Sequence, residues 1–208
     1  MMRFISVLLF FSVLPVAAIG AEDKAAVSGD PAAGAQIAGK VCAVCHGTDG
    51  NSPLSANPNL AGQHPGYLLK QLMDFKSGRR SNAIMAGMVA NLTEQDMRNL
   101  AAFYAGQSAK ESAAKDMELA SRGQELYRAG IAAKGIAACG ACHGPDGAGI
   151  PPLYPRVSGQ HSEYVVAQLR AFRAGNRDND ANKMMRMVSA RLSEEEINAL
   201  AEYISGLR

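Results

Sequence analysis

Apolar side chains fall on one helical face in several separate stretches of the chain, and no stretch of useful length alternates as a β-strand does. The two middle faces are Tyr67, Leu68, Leu72 and Phe75, and then Tyr164, Val165, Leu169 and Phe172. Two later faces are Met97, Leu100 and Phe103, and then Ile197, Leu200 and Tyr203. The pattern predicts an all-α fold.

Three short motifs predict where helices begin. A polar cap residue followed by proline, or by an acidic residue three positions later, satisfies the free backbone N–H groups of a first helical turn. The motifs are Asp30-Pro31, Thr93-x-x-Asp96 and Ser193-x-x-Glu196. The last two stand directly before the later apolar faces, so each half of the chain is expected to end in a capped helix.

The chain contains two copies of one unit. CAVCHGTDG at residues 42–50 recurs as CGACHGPDG at residues 139–147, which is 97 positions later. The same offset takes Arg80 to Arg177, and beyond these arginines the second copy has three additional residues. Two copies are too few for a solenoid, so the repeat predicts tandem homologous domains.

The repeat sets the predicted domain boundaries. Residues 29–107 form the first domain and residues 119–208 the second. Residues 108–118 are small and charged and belong to neither copy, which indicates a linker. A linker of this length can turn the chain back so that the domains dock on one another; two independent domains on a tether are the alternative.

Residues 1–20 have the composition of a cleaved signal peptide. Arg3 supplies the positive charge, Phe4–Val16 form an apolar run, and Ala18-Ile19-Gly20 is a small-x-small cleavage site. The run is shorter than the ~20 residues of a membrane span, which favours cleavage near Ala21 over a retained anchor. The segment therefore predicts export to an oxidising compartment, where paired cysteines normally close as disulfides.

Composition limits what the two domains can be. Basic and acidic residues nearly balance, with a formal net charge of +2, so the chain offers no basic field for nucleic acid and none is predicted as a partner. Aromatic residues make up only 6% of the chain and tryptophan is absent. Domains of about 90 residues are marginal on apolar burial alone, so a cofactor, metal or disulfide is expected to complete each core.

The four cysteines all lie in two C-x-x-C-H motifs, namely Cys42, Cys45 and His46, and then Cys139, Cys142 and His143. In this grouping two thiols add to the vinyl groups of haem and the adjacent imidazole ligates the iron. Zinc sites space their cysteine pairs by about 15–20 residues, and a thioredoxin-like pair accompanies a βαβ unit. Plain disulfides do not explain the histidines. The motifs therefore predict two covalently bound haem c groups.

Each copy also contains a methionine that is a candidate sixth ligand of the iron. When the copies are aligned on Leu92 and Leu192, Met85 stands opposite Met185. The neighbouring methionines have no methionine partner: Met88 faces Val188, Met184 faces Ile84, and Met187 faces Gly87. A thioether favours ferrous iron and raises the potential, which suits a carrier, although methionine also commonly fills a core.

The chain resembles the dihaem cytochrome c4 family of tandem class I c-type cytochromes, over about residues 29–208. The resemblance in the first copy is carried by CAVCHGTDGNSP, YLLKQLMDFKSG and MAGMVANLTEQD. In the second copy it is carried by CGACHGPDG, GQHSEYVVAQLRAFRAGNR and MMRMVSARLSEEE. It implies two tandem cytochrome c domains, each wrapped around one covalently attached haem, with ligand methionines at the positions of Met85 and Met185.

The resemblance also implies a function. Such proteins are exported to the periplasm, are often membrane-associated, and pass electrons from the cytochrome bc complex toward a haem–copper terminal oxidase. They have no substrate and no catalytic residues. Two other functions stay open at this point: a dihaem electron-acceptor subunit of a dehydrogenase, such as a flavoprotein sulfide dehydrogenase, and a dihaem peroxidase, which requires an iron without a strong sixth ligand.

Four further residues take roles from the resemblance. Pro58 and Pro155 are expected to offer backbone carbonyls to the proximal imidazoles, unless they merely shape their loops. Gly34 and Gly123 are expected where the first and last helices of each domain cross closely, unless they are ordinary helical glycines.

Other polar residues have simpler interpretations. His64 and His161 are expected to be exposed or to cap helices rather than to ligate iron. Arg79, Arg80 and Arg177 follow the middle helices, where they pair with haem propionates or form a solvated basic edge.

Overall fold

The computed structural model describes residues 27–208, so the predicted signal peptide, residues 1–20, lies outside the described residues. The helices of the first domain are α1 Pro31–Ile37, α2 Ala43–His46, α3 Pro65–Lys76, α4 Ala83–Val89 and α5 Glu94–Ala105, with a π-helical turn at Ala38–Cys42. Those of the second are α6 Met117–Ala129, α7 Gly140–His143, α8 Ser162–Ala174, α9 Met184–Ser189 and α10 Glu194–Gly206. Short 3₁₀ turns occupy Ala132–Lys134 and Ala181–Lys183.

The all-α prediction is confirmed. Between residues 27 and 208 the only β pairing is two isolated bridges, Ile131 with Ile136 and Ile150 with Tyr154. In the same range no helix combines the length and hydropathy that a membrane-spanning segment requires.

The predicted helix starts are also confirmed. The Asp30 carboxylate accepts a hydrogen bond from a first-turn N–H of α1. Thr93 with Asp96, and Ser193 with Glu196, form complete capping boxes at the starts of α5 and α10. Each box satisfies two backbone donors that the first turn leaves free.

The first and last helices of each domain cross at a glycine. Helix α1 packs on α5, and α6 packs on α10. A Cβ atom built on Gly34 would lie 2.1 Å from the carbonyl oxygen of Asn99, and one on Gly123 would lie 2.0 Å from that of Ala199. Only glycine allows backbones to approach so closely. The expectation for these two glycines is therefore confirmed.

Each domain has its own apolar core built around these helices. Buried members in the first domain include Leu68, Phe75, Met97, Leu100 and Tyr104, and in the second Tyr127, Leu169, Ile197, Leu200 and Tyr203. The middle helices α3 and α8 supply the faces that the apolar pattern predicted.

The segment between the domains is tied to both of them. The Asn51 side chain of the first domain donates to the Ser108 carbonyl and accepts from the Lys110 N–H. The Glu202 carboxylate of the second domain accepts from the Asp116 N–H at 2.9 Å. Because Asp116 caps α6, the helix begins at Met117, inside the segment predicted as linker.

The two domains dock through contacts that follow the repeat. The Gln63 side chain donates to the backbone carbonyl of Arg156 (2.8 Å) and accepts from its N–H (2.9 Å). The Gln160 side chain makes the same pair with the backbone of Asn59, at 3.0 and 2.9 Å. Because these residues are equivalent in the two copies, the interface has approximate two-fold symmetry.

Arg80 and Arg177 lie in this interface, so the expectation of a solvated basic edge is wrong for both. They are only 9% and 8% exposed. Arg80 donates to the hydroxyl of Tyr164 (2.9 Å), and Arg177 donates to the hydroxyl of Tyr67 (3.0 Å). Each guanidinium stacks on a phenylalanine of its own domain and also donates across the interface, and the second contact is invisible in the sequence of one domain.

We predict that Gly34→Ala and Gly123→Ala each destabilise the domain that contains them. The added methyl group meets backbone rather than a flexible side chain, so the cost is expected at or above the ~1–3 kcal/mol of ordinary overpacking. The measurement is denaturant unfolding of the holoprotein. Gly39→Ala is the matched control, because a Cβ there meets nothing within 4 Å; a similar loss of stability in the control would contradict the close crossing.

Candidate functional site

The four cysteines lie at the short helices that contain the C-x-x-C-H motifs. Cys42 ends the π-helical turn before α2, and Cys45 lies within α2. Cys139 is the N-cap residue of α7, and Cys142 lies within it. Both thiols and the following imidazole of each motif therefore lie within about one helical turn. All four cysteine side chains are half-buried, and none of them forms a disulfide.

A proline carbonyl orients each histidine. The Nδ1 atom of His46 lies 3.0 Å from the carbonyl oxygen of Pro58, and that of His143 lies 2.9 Å from the oxygen of Pro155. A carbonyl only accepts, so Nδ1 carries the proton and the lone pair is on Nε2. This tautomer leaves Nε2 available to a metal ion.

The loops that present these carbonyls are closed in the same way in both domains. The Leu60 N–H donates to the Gly50 carbonyl at 2.7 Å, and the Val157 N–H donates to the Gly147 carbonyl at 2.8 Å. Both acceptor glycines have positive φ, a conformation that glycine adopts without steric cost. The two prolines are thus part of fixed loop structures.

Burial sets the protonation of the site. It lowers the pKa of His46 and of His143, and the bond to the proline carbonyl only partly opposes this effect. Both rings are therefore neutral near pH 7. Burial also raises the pKa of the Cys42 thiol, and it raises that of Cys139 to about 11. A redox-active pair requires a lowered thiol pKa, so these values argue against a thioredoxin-like function.

The zinc alternative fails on geometry. Within residues 27–208 no group of three or more histidine, cysteine, aspartate or glutamate side chains is arranged to hold a metal ion. Each motif offers two thiols and one imidazole nitrogen on a short helix, which is the donor set of a covalently attached haem.

Met85 and Met185 occupy similar positions in the two domains. Both are half-buried and pack against the apolar core of their own domain. Met88 and Met187 are 45% and 60% exposed. Met184 is also half-buried, and its sulfur lies 3.9 Å from the hydroxyl of Tyr154.

Arg156 also fits a haem, although the sequence did not single it out. Its Nε atom is buried and has no hydrogen-bond partner among residues 27–208, and it directly follows Pro155. A buried N–H donor requires an acceptor, and the carboxylates of a haem would supply one. The available signal was a mismatch in the repeat, since the first copy has Asn59 at this position.

His64 and His161 precede α3 and α8 as N-cap residues, but neither ring makes a capping hydrogen bond. Both are half-buried rather than exposed. The Nε2 atom of His161 lies 3.0 Å from the carbonyl oxygen of Ser52 in the first domain, so this ring belongs to the interface between the domains.

Both halves of the chain are similar to known proteins. Residues 31–106 and 120–208 each match the family described as Cytochrome c. Cytochrome c4 of Thiocapsa roseopersicina is 48% identical over 90% of this chain and 98% of its own. The crystal structure of reduced recombinant cytochrome c4 from Pseudomonas stutzeri aligns with a TM-score of 0.84 and 42% identity, over 87% of this chain and 100% of that one.

A relative with a different name is also similar over most of its length. The thiosulfate dehydrogenase electron acceptor of Stutzerimonas stutzeri is 40% identical over 84% of this chain and 82% of its own.

We predict that the double variant Cys139→Ala, Cys142→Ala retains one covalently attached haem, because the first motif lies in a separate domain with its own core. Mass spectrometry of the denatured protein measures this directly. The double variant Cys42→Ala, Cys45→Ala is the matched control and is also expected to retain one. Two haems on either double variant would contradict attachment at these cysteines.

Proposed function

The chain belongs to the cytochrome c4 family, and from this we propose how its two haems are ligated and which redox proteins it serves. It is an electron carrier rather than an enzyme. It has two haem c groups, at the pairs Cys42 with Cys45 and Cys139 with Cys142. Bound haem supplies one-electron transfer at iron, and the chain supplies the ligands and their surroundings.

We expect His46 and Met85 to ligate the first iron, and His143 and Met185 to ligate the second. The proline carbonyls support the histidines, since they leave Nε2 of each ring unprotonated. Two observations support the methionines. When the copies are aligned on Leu92 and Leu192, the position of Met85 and Met185 is the one that is methionine in both. Both side chains also pack on the core of their own domain.

An electron carrier is favoured over a peroxidase by one observation, which is that each repeat offers both an imidazole and a thioether as ligands. With His46 and Met85 on one iron, and His143 and Met185 on the other, neither iron would keep an open position for a peroxide. The same pairing raises the reduction potential above that of two imidazoles, because sulfur favours ferrous iron. It thereby suits exchange between respiratory proteins.

The proposed route is from the cytochrome bc complex to a haem–copper terminal oxidase. The signal-like composition of residues 1–20 supports a periplasmic location, where the redox partners are reached from the outer face of the cytoplasmic membrane. Peripheral association of the mature protein with that membrane is part of the proposal. The redox partners are proteins and not nucleic acid, as the near-balanced charge indicates.

A second function is electron acceptance from a sulfur-compound dehydrogenase. It is favoured by the 40% identity to an acceptor of thiosulfate dehydrogenase over most of both chains. A flavoprotein sulfide dehydrogenase is another enzyme of this kind. A free carrier and such an acceptor have the same haem ligation, so kinetics with the partner must distinguish them.

We predict that the reduced protein is reoxidised rapidly by membranes containing a haem–copper oxidase and only slowly by hydrogen peroxide. Stopped-flow absorbance at the haem bands measures both rates. Reduction by purified cytochrome bc complex and by thiosulfate dehydrogenase with thiosulfate is compared in the same assay. Faster reduction by the dehydrogenase would favour the second function, and fast oxidation by peroxide would overturn the carrier.

We predict that Met85→Ala and Met185→Ala each abolish the sulfur-to-iron charge-transfer band of one haem and lower its potential. The loss of a soft axial ligand destabilises the ferrous state of that iron alone. An optical redox titration is expected to show one displaced and one unchanged wave in each variant.

Met88→Ala and Met187→Ala are the matched controls for these variants, since both side chains are largely exposed. They are expected to leave both waves and both bands unchanged. Loss of a band in a control, with the band intact in Met85→Ala and Met185→Ala, would show that the ligands are assigned wrongly.

A further inference from the structure

The second copy of the repeat contains three residues, 178–180, that the first copy lacks. Met85 follows Arg80 by five positions, whereas Met185 follows Arg177 by eight. Along the chain, the additional residues therefore stand between Arg177, which lies in the interface of the two domains, and the segment that contains the proposed ligand Met185.

Asn179 in this insertion is bound to the first domain. Its side-chain amide donates to Oδ2 of Asp74 at 2.7 Å and to the side-chain oxygen of Gln71 at 3.0 Å. Its backbone carbonyl accepts from Nζ of Lys70 at 2.7 Å. All three partners lie on α3, so a single inserted residue is joined by three hydrogen bonds to one helix of the other domain.

Asp74 is a fully buried carboxylate, with 0% of its surface exposed. It forms ion pairs with Lys70 and with Arg79, whose Nη2 atom lies 2.8 Å from Oδ1. A buried carboxylate is costly unless cations and hydrogen-bond donors surround it. The equivalent residue of the second copy is Ala171, so this arrangement occurs on one side of the interface only.

The two neighbours of Asn179 hold the start of α9. The Asp180 carboxylate accepts from the backbone N–H of Arg186 at 3.0 Å and from its Nε at 2.7 Å. The Asp178 carbonyl accepts from Nη2 of the same arginine at 3.0 Å. Since Arg186 directly follows Met185, these contacts fix the backbone beside the proposed ligand.

The first domain holds its methionine by itself. The Met85 N–H donates to the side chain of Asn82 at 2.9 Å, as the N-cap bond of α4. The methionine segment of the second domain is therefore the one that is anchored across the interface.

We propose that Asp74 of the first domain is a positioning residue for the sixth ligand of the iron in the second domain. Through Asn179 it holds residues 178–186 in place and thereby holds Met185 on its iron. The inference rests on the assignment of Met185 in the proposed function. Its consequence is that docking of the domains tunes the second haem and leaves the first unaffected.

The test is imidazole binding to the ferric holoprotein of Asn179→Ala, because imidazole competes with the methionine for the sixth position. Loss of hydrogen bonds to a carboxylate and an amide is expected to make imidazole bind about tenfold more tightly at the second iron. Binding at the first iron is expected to stay unchanged. Haem methyl NMR signals, assigned with Met85→Ala and Met185→Ala, distinguish the two irons. The potential of the second haem is expected to fall in the same variant.

A charge exchange tests the contact itself. Asn179→Asp places a second carboxylate against Asp74 and is expected to weaken methionine ligation at the second iron. Adding Asp74→Asn restores a donor and an acceptor, and imidazole affinity is expected to return toward that of the unaltered protein. A residue that acts only on overall stability gives no such rescue.

Two variants serve as matched controls. Gln63→Ala removes interdomain hydrogen bonds that do not involve residues 178–186, so both irons are expected to keep their imidazole affinity. Asn82→Ala removes the cap beside Met85 and is expected to affect the first iron alone.

Four outcomes are decisive against the proposal. The first is unchanged imidazole binding in Asn179→Ala while Met185→Ala loses the methionine signal of the second haem. This result overturns the role of Asp74 but leaves the proposed ligation intact. Persistence of that signal in Met185→Ala overturns the ligand assignment and this inference with it. Equal changes at both irons, or the same change in Gln63→Ala, overturn the specific connection to the second haem.

Discussion

Each domain depends on the crossing of its first and last helices at a glycine. Backbone meets backbone at Gly34 and at Gly123, so these helices are joined without large side chains between them. A chain with only 6% aromatic residues can therefore close two small domains and leave the centre of each to its cofactor. The first C-x-x-C-H motif begins at Cys42, five residues after α1 ends, so this crossing also sets where the haem is attached.

The last helix in each domain also positions the loop that faces the motif. The Gly62 N–H donates to the Tyr104 carbonyl, and the Gly159 N–H donates to the Ile204 carbonyl, both at 3.0 Å. These bonds hold the loops that present the carbonyls of Pro58 and Pro155 to His46 and His143. The orientation of the imidazole thus follows from the same helix pair that closes the domain, because the loop is anchored at the end of that pair.

Much of the fold was predictable because its signals are local. Capping boxes, helical faces and the C-x-x-C-H motifs each lie within a few residues, and the repeat allowed each to be read twice. The two cysteine pairs were predictable for the same reason, whereas His46 and His143 as iron ligands remain a prediction from their motifs. The assignment of Met85 and Met185 as ligands remains a prediction from the repeat.

The interface between the domains was not predictable from single segments. Arg80 and Arg177 have the sequence context of exposed residues after a helix, and each donates to a tyrosine hydroxyl of the opposite domain. The position of His161 was unpredictable for the same reason, since its ring contacts the backbone carbonyl of Ser52 in the first domain. Long-range polar contacts of this kind have no period and no motif, so they appear only when both domains are placed together.

The symmetry of this interface limits where a difference between the haems can originate. Gln63 and Gln160 make equivalent contacts, as do Arg80 and Arg177, and equivalent contacts act equally on both haems. Any inequality must come from positions at which the copies differ. Such positions at the interface include Arg156, whose equivalent in the first copy is Asn59, and Asp74, whose equivalent in the second copy is Ala171. They also include the insertion at residues 178–180. The duplicated chain therefore resembles a symmetric dimer in its docking, and polar residues with no equivalent in the other copy distinguish its two halves at the interface.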